Sequence, residues 1–224
     1  MTQKEFLQKV REAYLSAREY KYIPNSNQQV LSRGTSHSIS SETEDLFGCY
    51  CAEKVINEKE IKIIIDPPIS FKGTDLKNKS GKKSLLMRPD ILITKDGIAN
   101  CLFDLKTDLG YKRFELLNQA KEKNELLKLI KGHNAKYKDG KTKQEIEIKF
   151  SNEIKFVYVV ISQGNIKIEK LNEYIRGIKE LENIEIYVLS TGDHLNSYNQ
   201  HSNWNVNETD FNELDNLINK KMKE

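Results

Sequence analysis

The stretch Arg88-Pro89-Asp90-Ile91-Leu92-Ile93-Thr94-Lys95-Asp96-Gly97-Ile98-Ala99-Asn100-Cys101-Leu102-Phe103-Asp104-Leu105-Lys106 decides how this chain folds. Two apolar runs flank Asp96-Gly97, a strong short-range hairpin signal. The pattern predicts strands over about 85–94 and 98–106. A three-residue loop of Lys95, Asp96 and Gly97 sets Thr94 opposite Ile98, Asp90 opposite Leu102 and Asp104 opposite Arg88. Strand residues alternate faces, so Asp90, Asp104 and Lys106 share one face. The two acids become diagonal neighbours, their β-carbons about 7–8 Å apart or a little less. Ile91, Ile93, Cys101, Phe103 and Leu105 point the other way, into the core. A loop of only two residues would put the acids on opposite faces.

Working outward, Phe6, Val10, Tyr14, Ala17 and Tyr20 or Tyr22 recur at helical spacing over 4–22, and Pro24 ends that helix. Residues 24–38 read as a polar loop. A second helix begins near Ser40, where Ser41 and Glu44 have capping-box spacing. Ile61–Ile65 reads as a strand stopped by Pro67-Pro68. Beyond the hairpin, an amphipathic helix covers about 112–131 and closes at Gly132. Residues 71–84 and 133–143 read as lysine-rich loops. Ile146–Phe150 forms a short strand, and the apolar run in Ile154–Ser162 predicts a strand buried on both faces. A helix over 168–181, a strand over 184–190, a polar and aromatic stretch over 191–207 and a helix over 208–222 complete the chain. No repeat or linker divides it. The expectation is one domain over 1–224, with a core at about 40–190, of α/β class with a central mixed sheet flanked by helices.

The chain of 224 residues carries 36 Lys and Arg against 33 Asp and Glu, a net charge of +3. That balance is too slight to identify a polyanionic partner, so the placement of charge matters more. No apolar run reaches bilayer length, and Met1-Thr2-Gln3-Lys4-Glu5-Phe6 has no signal-peptide core, so the expected location is the cytoplasm. Cys49, Cys51 and Cys101 lack zinc spacing and read as buried, reduced thiols. His37, His133, His194 and His201 lack ligand spacing. No glycine-rich phosphate loop is present, so no nucleotide cofactor is indicated.

Two carboxylates on one face can hold Mg²⁺ while leaving most of its shell to water and phosphate oxygens. A lysine beside them can orient an attacking water or offset charge on a pentacovalent phosphorus. Asp-x-Lys and Glu-x-Lys are common in this lysine-rich chain, at Asp75, Asp139, Glu147 and Glu153. Only the one at Asp104 lies in a strand hairpin-paired with an acid. A surface ion pair at a strand end is the plain alternative for these residues, and Glu147 or Glu153 is the alternative second acid.

Pro89-Asp90 followed after fourteen residues by Asp104-Leu105-Lys106 resembles the PD-(D/E)xK nuclease superfamily, and type II restriction endonucleases in particular. The likeness spans about residues 40–190 in element order. It implies a restriction-endonuclease-like fold, with Asp90 and Asp104 binding Mg²⁺ and Lys106 assisting the water. It implies a further acid on the preceding helix, for which Glu44 is favoured over Glu42 and Asp45. A capping carboxylate at the helix start is the alternative for Glu44. The implied activity is site-specific hydrolysis of double-stranded DNA leaving a 5′-phosphate, by a bacterial homodimer paired with a cognate DNA methyltransferase. A repair, recombination or junction-cutting nuclease and an inert DNA-binding protein are the alternatives. Candidate DNA contacts are Lys112 and Arg113 just after the catalytic strand, Lys82 and Lys83 in the first lysine-rich loop, and Asn199 and Gln200 in the polar stretch 196–205. Residues 24–38, with Asn25, Asn27, Gln28, Gln29 and Arg33, are similar in kind.

Overall fold

The computed structural model describes residues 1–18, 38–56, 58–71, 85–109, 115–164, 166–197 and 203–223. The candidate DNA contacts Lys82, Lys83, Lys112, Arg113, Asn199 and Gln200 lie outside these residues, as does the polar segment 24–37.

The hairpin is formed by β4 (Ile91–Lys95) and β5 (Ile98–Lys106). Its loop is shorter than the sequence reading expects. Lys95 pairs with Ile98, and Thr94 pairs with Ala99 instead of Ile98. Asp96 and Gly97 have φ of 52° and 76°, the doubly positive pair of a two-residue I′ turn. The parity this turn alone would produce is reversed within three residues. Ile93 pairs with Cys101, so Asn100 is an extra residue in β5. The trace of this bulge is that Ala99 and Cys101, two apart, bury on opposite faces of the sheet. Leu102 consequently faces Leu92, not Asp90. The last pair is Ile91 with Phe103, and Asp90, just outside β4, stays tied to this end of β5 through its N–H to the Phe103 carbonyl.

The predicted strand over 85–94 is interrupted. Leu86–Met87 forms β3, which pairs with β2 (Ile69–Ser70) at the far side of the sheet, and the chain leaves the ladder at Arg88-Pro89-Asp90. Proline has no N–H to donate to a ladder, which suits it to this break. Arg88 therefore does not face Asp104, and its guanidinium grips Asp66 instead, at 2.5 Å through each of two nitrogens.

β1 (Ile61–Ile65) flanks β4 antiparallel. On the other side β5 runs parallel to β7 (Glu145–Val160), a single strand where the sequence suggested two. β6 (Asn134–Lys138) lies antiparallel to the first half of β7, correcting the expected loop over 133–143. Its alternation explains why: Ala135 and Tyr137 are buried between exposed Asn134 and Lys138. β8 (Ile184–Val188) runs parallel to the second half of β7, as β6 borders the first. The described strands form an eight-stranded mixed sheet, and β9 (Ser190–Gly192) pairs with β10 (Trp204–Val206) separately.

Helices cover both faces of the sheet. α1 (Gln3–Arg18), α2 (Ser40–Lys54) and α5 (Glu208–Lys223) bury Phe6, Phe47, Tyr50 and Phe211 against Ile91, Ile93, Cys101, Phe103 and Val157. α3 (Leu116–Ile130) and α4 (Ile168–Lys179) bury Leu116, Leu127, Leu171 and Ile178 against Leu102, Phe156, Tyr158 and Val160. The run Phe156-Val157-Tyr158-Val159-Val160 feeds both cores alternately, as its unbroken apolar character predicts. Cys51 and Cys101 are buried, whereas Cys49 is exposed because it falls on the outer side of α2. Among the described residues no helix is long and apolar enough to cross a membrane.

Candidate active site

Asp90 sits one residue ahead of β4, held by its own backbone. Its N–H donates to the Phe103 carbonyl at 2.9 Å, and its carbonyl accepts the Asp66 N–H at 2.7 Å. The side chain is fixed too, because Oδ2 accepts the Leu105 N–H at 2.5 Å. Leu105 lies between Asp104 and Lys106, so this bond draws the Asp90 carboxylate to the Asp-x-Lys segment. Asp104 and Lys106 form an ion pair with each other, with side chains 21% and 34% exposed. Leu105 packs on the opposite core, so the bulge delivers the face assignment that the sequence predicted by another route. Burial pushes the Asp90 carboxyl up from its ordinary value, Asp104 adds to that, and the Leu105 N–H and Lys106 oppose it.

Glu44 arrives from α2. The expected capping box is absent: α2 begins after Ile39 with no side-chain cap, and Ser38 Oγ accepts the Ser40 N–H at 3.3 Å. Glu44 is half-buried instead, and shares a pocket of about 200 Å³ with Thr43, Lys106 and Thr107. Burial pushes its carboxyl up, and Asp90 and then Asp66 push it further. The helix lies close to β1 at Gly48, one turn beyond Glu44, where an added Cβ would meet Ile65 Cδ1 at 2.8 Å. Asp45 is exposed and Glu42 is outside the residues lining this pocket, so Glu44 is the acid of the three that joins the cluster. The melting temperature of Glu44→Gln should hold or rise at neutral pH, since a half-buried carboxylate beside other acids is removed, and a melt below that of wild type would show that the carboxylate is structural.

The alternative second acids lie elsewhere. Glu147 and Glu153 are exposed, and Glu147 pairs with Lys136. Glu153 falls in the irregular part of β7 beside Asn100, about 13 Å along the sheet from Asp104 at strand spacing. His194 Nδ1 accepts the Asn196 N–H at 3.0 Å, so Nε2–H donates to Asp108 at 2.8 Å. That bond clips the β9 region to the end of β5 and is structural. Trp204, in the polar stretch 196–205, packs partly buried against the core of α1, α2 and α5.

Two residues near the acids were missed by the sequence reading. Asp66 reaches the cluster through the turn after β1, and nothing local marks it. Lys123 had little signal, because it flanks the inner stripe of α3, whose buried residues are Leu116, Ala120, Asn124, Leu127 and Ile130. Its ammonium lies 5.3 Å from the centre of the Phe156 ring.

Among the described residues no three His, Cys, Asp or Glu side chains form a group that could hold a metal ion. The fit for Mg²⁺ rests on two oxygen donors, Asp90 and Asp104, whose mutual repulsion a cation would relieve. Two protein carboxylates with the remaining places left to water and phosphate is a common arrangement for this ion. The chain matches no known protein family, no curated protein and no solved structure.

Proposed function

We propose that this chain is a metal-dependent phosphodiesterase acting on DNA, built on a restriction-endonuclease-like fold. Within that class we assign it as a type II site-specific endonuclease that cuts double-stranded DNA and leaves 5′-phosphates. The observation that carries the reading is the bond from Leu105 N–H to Asp90, which joins the Pro-Asp corner to the Asp104–Lys106 pair. The arrangement of elements supports it: a helix bearing Glu44, the antiparallel strands β1, β4 and β5 side by side, with β2 and β3 inserted between β1 and β4, then α3 and β6 ahead of β7, which runs parallel to β5.

Asp90 and Asp104 would hold Mg²⁺, which when bound polarises the phosphoryl group and lowers the pKa of a coordinated water. Lys106 Nζ, anchored by Asp104, would offset negative charge gathering on the phosphoryl oxygens. Glu44, in the pocket that Lys106 also lines, would accept a hydrogen bond from a water held there. Water oxygen bonds to phosphorus, the P–O3′ bond breaks, and the proton lost by the water is balanced by one gained at O3′. Action on both strands of a duplex calls for two copies of the chain, one for each strand.

The test is incubation of purified protein with several plasmid and phage DNAs in Mg²⁺ or EDTA, resolved on a gel. Discrete, Mg²⁺-dependent fragments are expected, and mapping their ends gives the recognition sequence. Intact unmethylated duplex in every case would overturn the site-specific assignment. Cleavage of branched or damaged DNA alone would move the substrate to that class.

A further inference from the structure

Lys123 is the feature near the acids for which packing offers no account. Lys123 flanks the inner stripe of α3, made by Leu116, Ala120, Asn124, Leu127 and Ile130, whose polar member Asn124 accepts hydrogen bonds from Asn183. Lys123 is half-buried there, yet makes no hydrogen bond or ion pair among the described residues. By contrast Lys221, buried on α5, donates to the Glu153 carbonyl at 2.9 Å. A lysine withdrawn from water without a partner is costly, and the Phe156 ring offsets only part of that.

Its surroundings say what would complete it. β5 and β7 run side by side with Asp104 against Tyr158, and Phe156 precedes Tyr158 on the same face. Lys123 reaches over Phe156 toward this pair. A cleft of about 550 Å³ is lined by Lys123, Asp104 and Tyr158, with Gln119 and the exposed Lys121, Glu122 and Glu125 along α3 and Leu85 and Leu126 as apolar walls. Burial lowers the affinity of Lys123 for its proton, and the nearby charges of Asp104 and Asp90 act the other way. A carboxylate partner is not what the site lacks, because Asp104 is already paired with Lys106. What suits a second lysine on the other side of Asp104 is an anion that enters with the substrate.

We propose that Lys123 is a second phosphate-holding residue of the site, gripping a DNA phosphate from the α3 side while Lys106 approaches from β5. The assignment rests on the nuclease reading for its substrate, but it makes a prediction about binding that needs no cleavage. Neutralising one lysine that holds a phosphate lowers the slope of log K against log salt by about 0.9.

The experiment measures affinity of the full chain for a labelled duplex over a salt series, with Ca²⁺ replacing Mg²⁺. Cleavage rates in Mg²⁺ are measured alongside. The proteins are wild type, Lys123→Met, Lys123→Gln and Lys123→Arg. Removing the charge should flatten the slope by about 0.9 and slow cleavage about 10- to 100-fold, the worth of one charged hydrogen bond. Lys123→Arg should keep most of both. The neutral variants should melt no lower than wild type, since a half-buried charge is gone, and Lys123→Gln serves if Lys123→Met does not fold. An unchanged slope in a folded neutral variant overturns the proposal, whatever happens to the rate. Wild-type cleavage with an unchanged slope leaves the nuclease reading standing without Lys123. A Lys123-dependent slope with no cleavage of any DNA supports the phosphate grip and sinks the nuclease reading. No duplex binding by wild type overturns both.

Discussion

Asp104→Ala is expected to reduce Mg²⁺-dependent DNA cleavage at least about 10³-fold while leaving the protein folded. The magnitude follows from what the side chain does in the proposed site. It is one of two protein oxygens for the ion, and a bound ion supplies several kcal/mol of transition-state stabilisation, where each 1.36 kcal/mol is tenfold in rate. It also anchors Lys106 Nζ, so the substitution releases the ammonium that faces the phosphate. Folding should change little. The pair is partly exposed, and such ion pairs contribute about 0–1 kcal/mol. The check is a cleavage time course beside a thermal melt. Retention of more than a tenth of the wild-type rate in a folded variant would show that the chemistry does not run through this strand.

Asp90→Asn is expected to raise the melting temperature at neutral pH and to abolish cleavage, two effects of opposite sign on stability and function. The folded protein raises the Asp90 carboxyl pKa, chiefly by burial and next by Asp104, against the Leu105 N–H and Lys106. An acid whose pKa is raised on folding binds protons more tightly in the native state. Its ionisation therefore costs stability as pH rises from the unfolded value of about 3.9 through the folded value, and the cost is fully present above both. Asparagine keeps the acceptor for Leu105 N–H and removes that cost. At this chain length each kcal/mol recovered is worth about 2–4 °C. The gain should vanish at pH values below about 4, where wild-type Asp90 is protonated in both states. Mg²⁺ should narrow the gap from the other direction, raising the wild-type midpoint by mass action and leaving Asp90→Asn unmoved. A variant that melts below wild type at pH 7 without metal would show that the carboxylate is structural.

The hairpin's faces were legible because strand periodicity is local. Ile91, Ile93, Cys101, Phe103 and Leu105 form one apolar row, and a sequence with that row excludes the acids from its side. The route was not legible. A two-residue turn followed by a bulge at Asn100 and a three-residue turn without one put Asp90 and Asp104 on the same face, and pattern alone does not separate them. The bulge belongs to a strand paired on both sides, with β4 and with an irregular β7, so its place depends on partners far along the chain. The same limit explains β6. Asn134–Lys138 is rich in lysine and reads as loop, but the first half of β7 offers it an edge to pair with. Glu44 is a similar case. Local spacing offered it a capping partner, and the packing of α2 against β1 turned it toward Asp90.

The sequence by itself determined the α/β class, the buried central strand, and a face carrying Asp90, Asp104 and Lys106, because burial patterns of period 2 and 3.6 are written in adjacent residues. Only the tertiary structure decided which residues gather around that face. Asp66 and Glu44 come from other elements and are placed by packing, and Lys123 comes from α3, on the opposite face of the sheet from α2. Cooperation between side chains distant in sequence is set by how layers stack. Layer stacking is a sum of many weak contacts that no short stretch encodes.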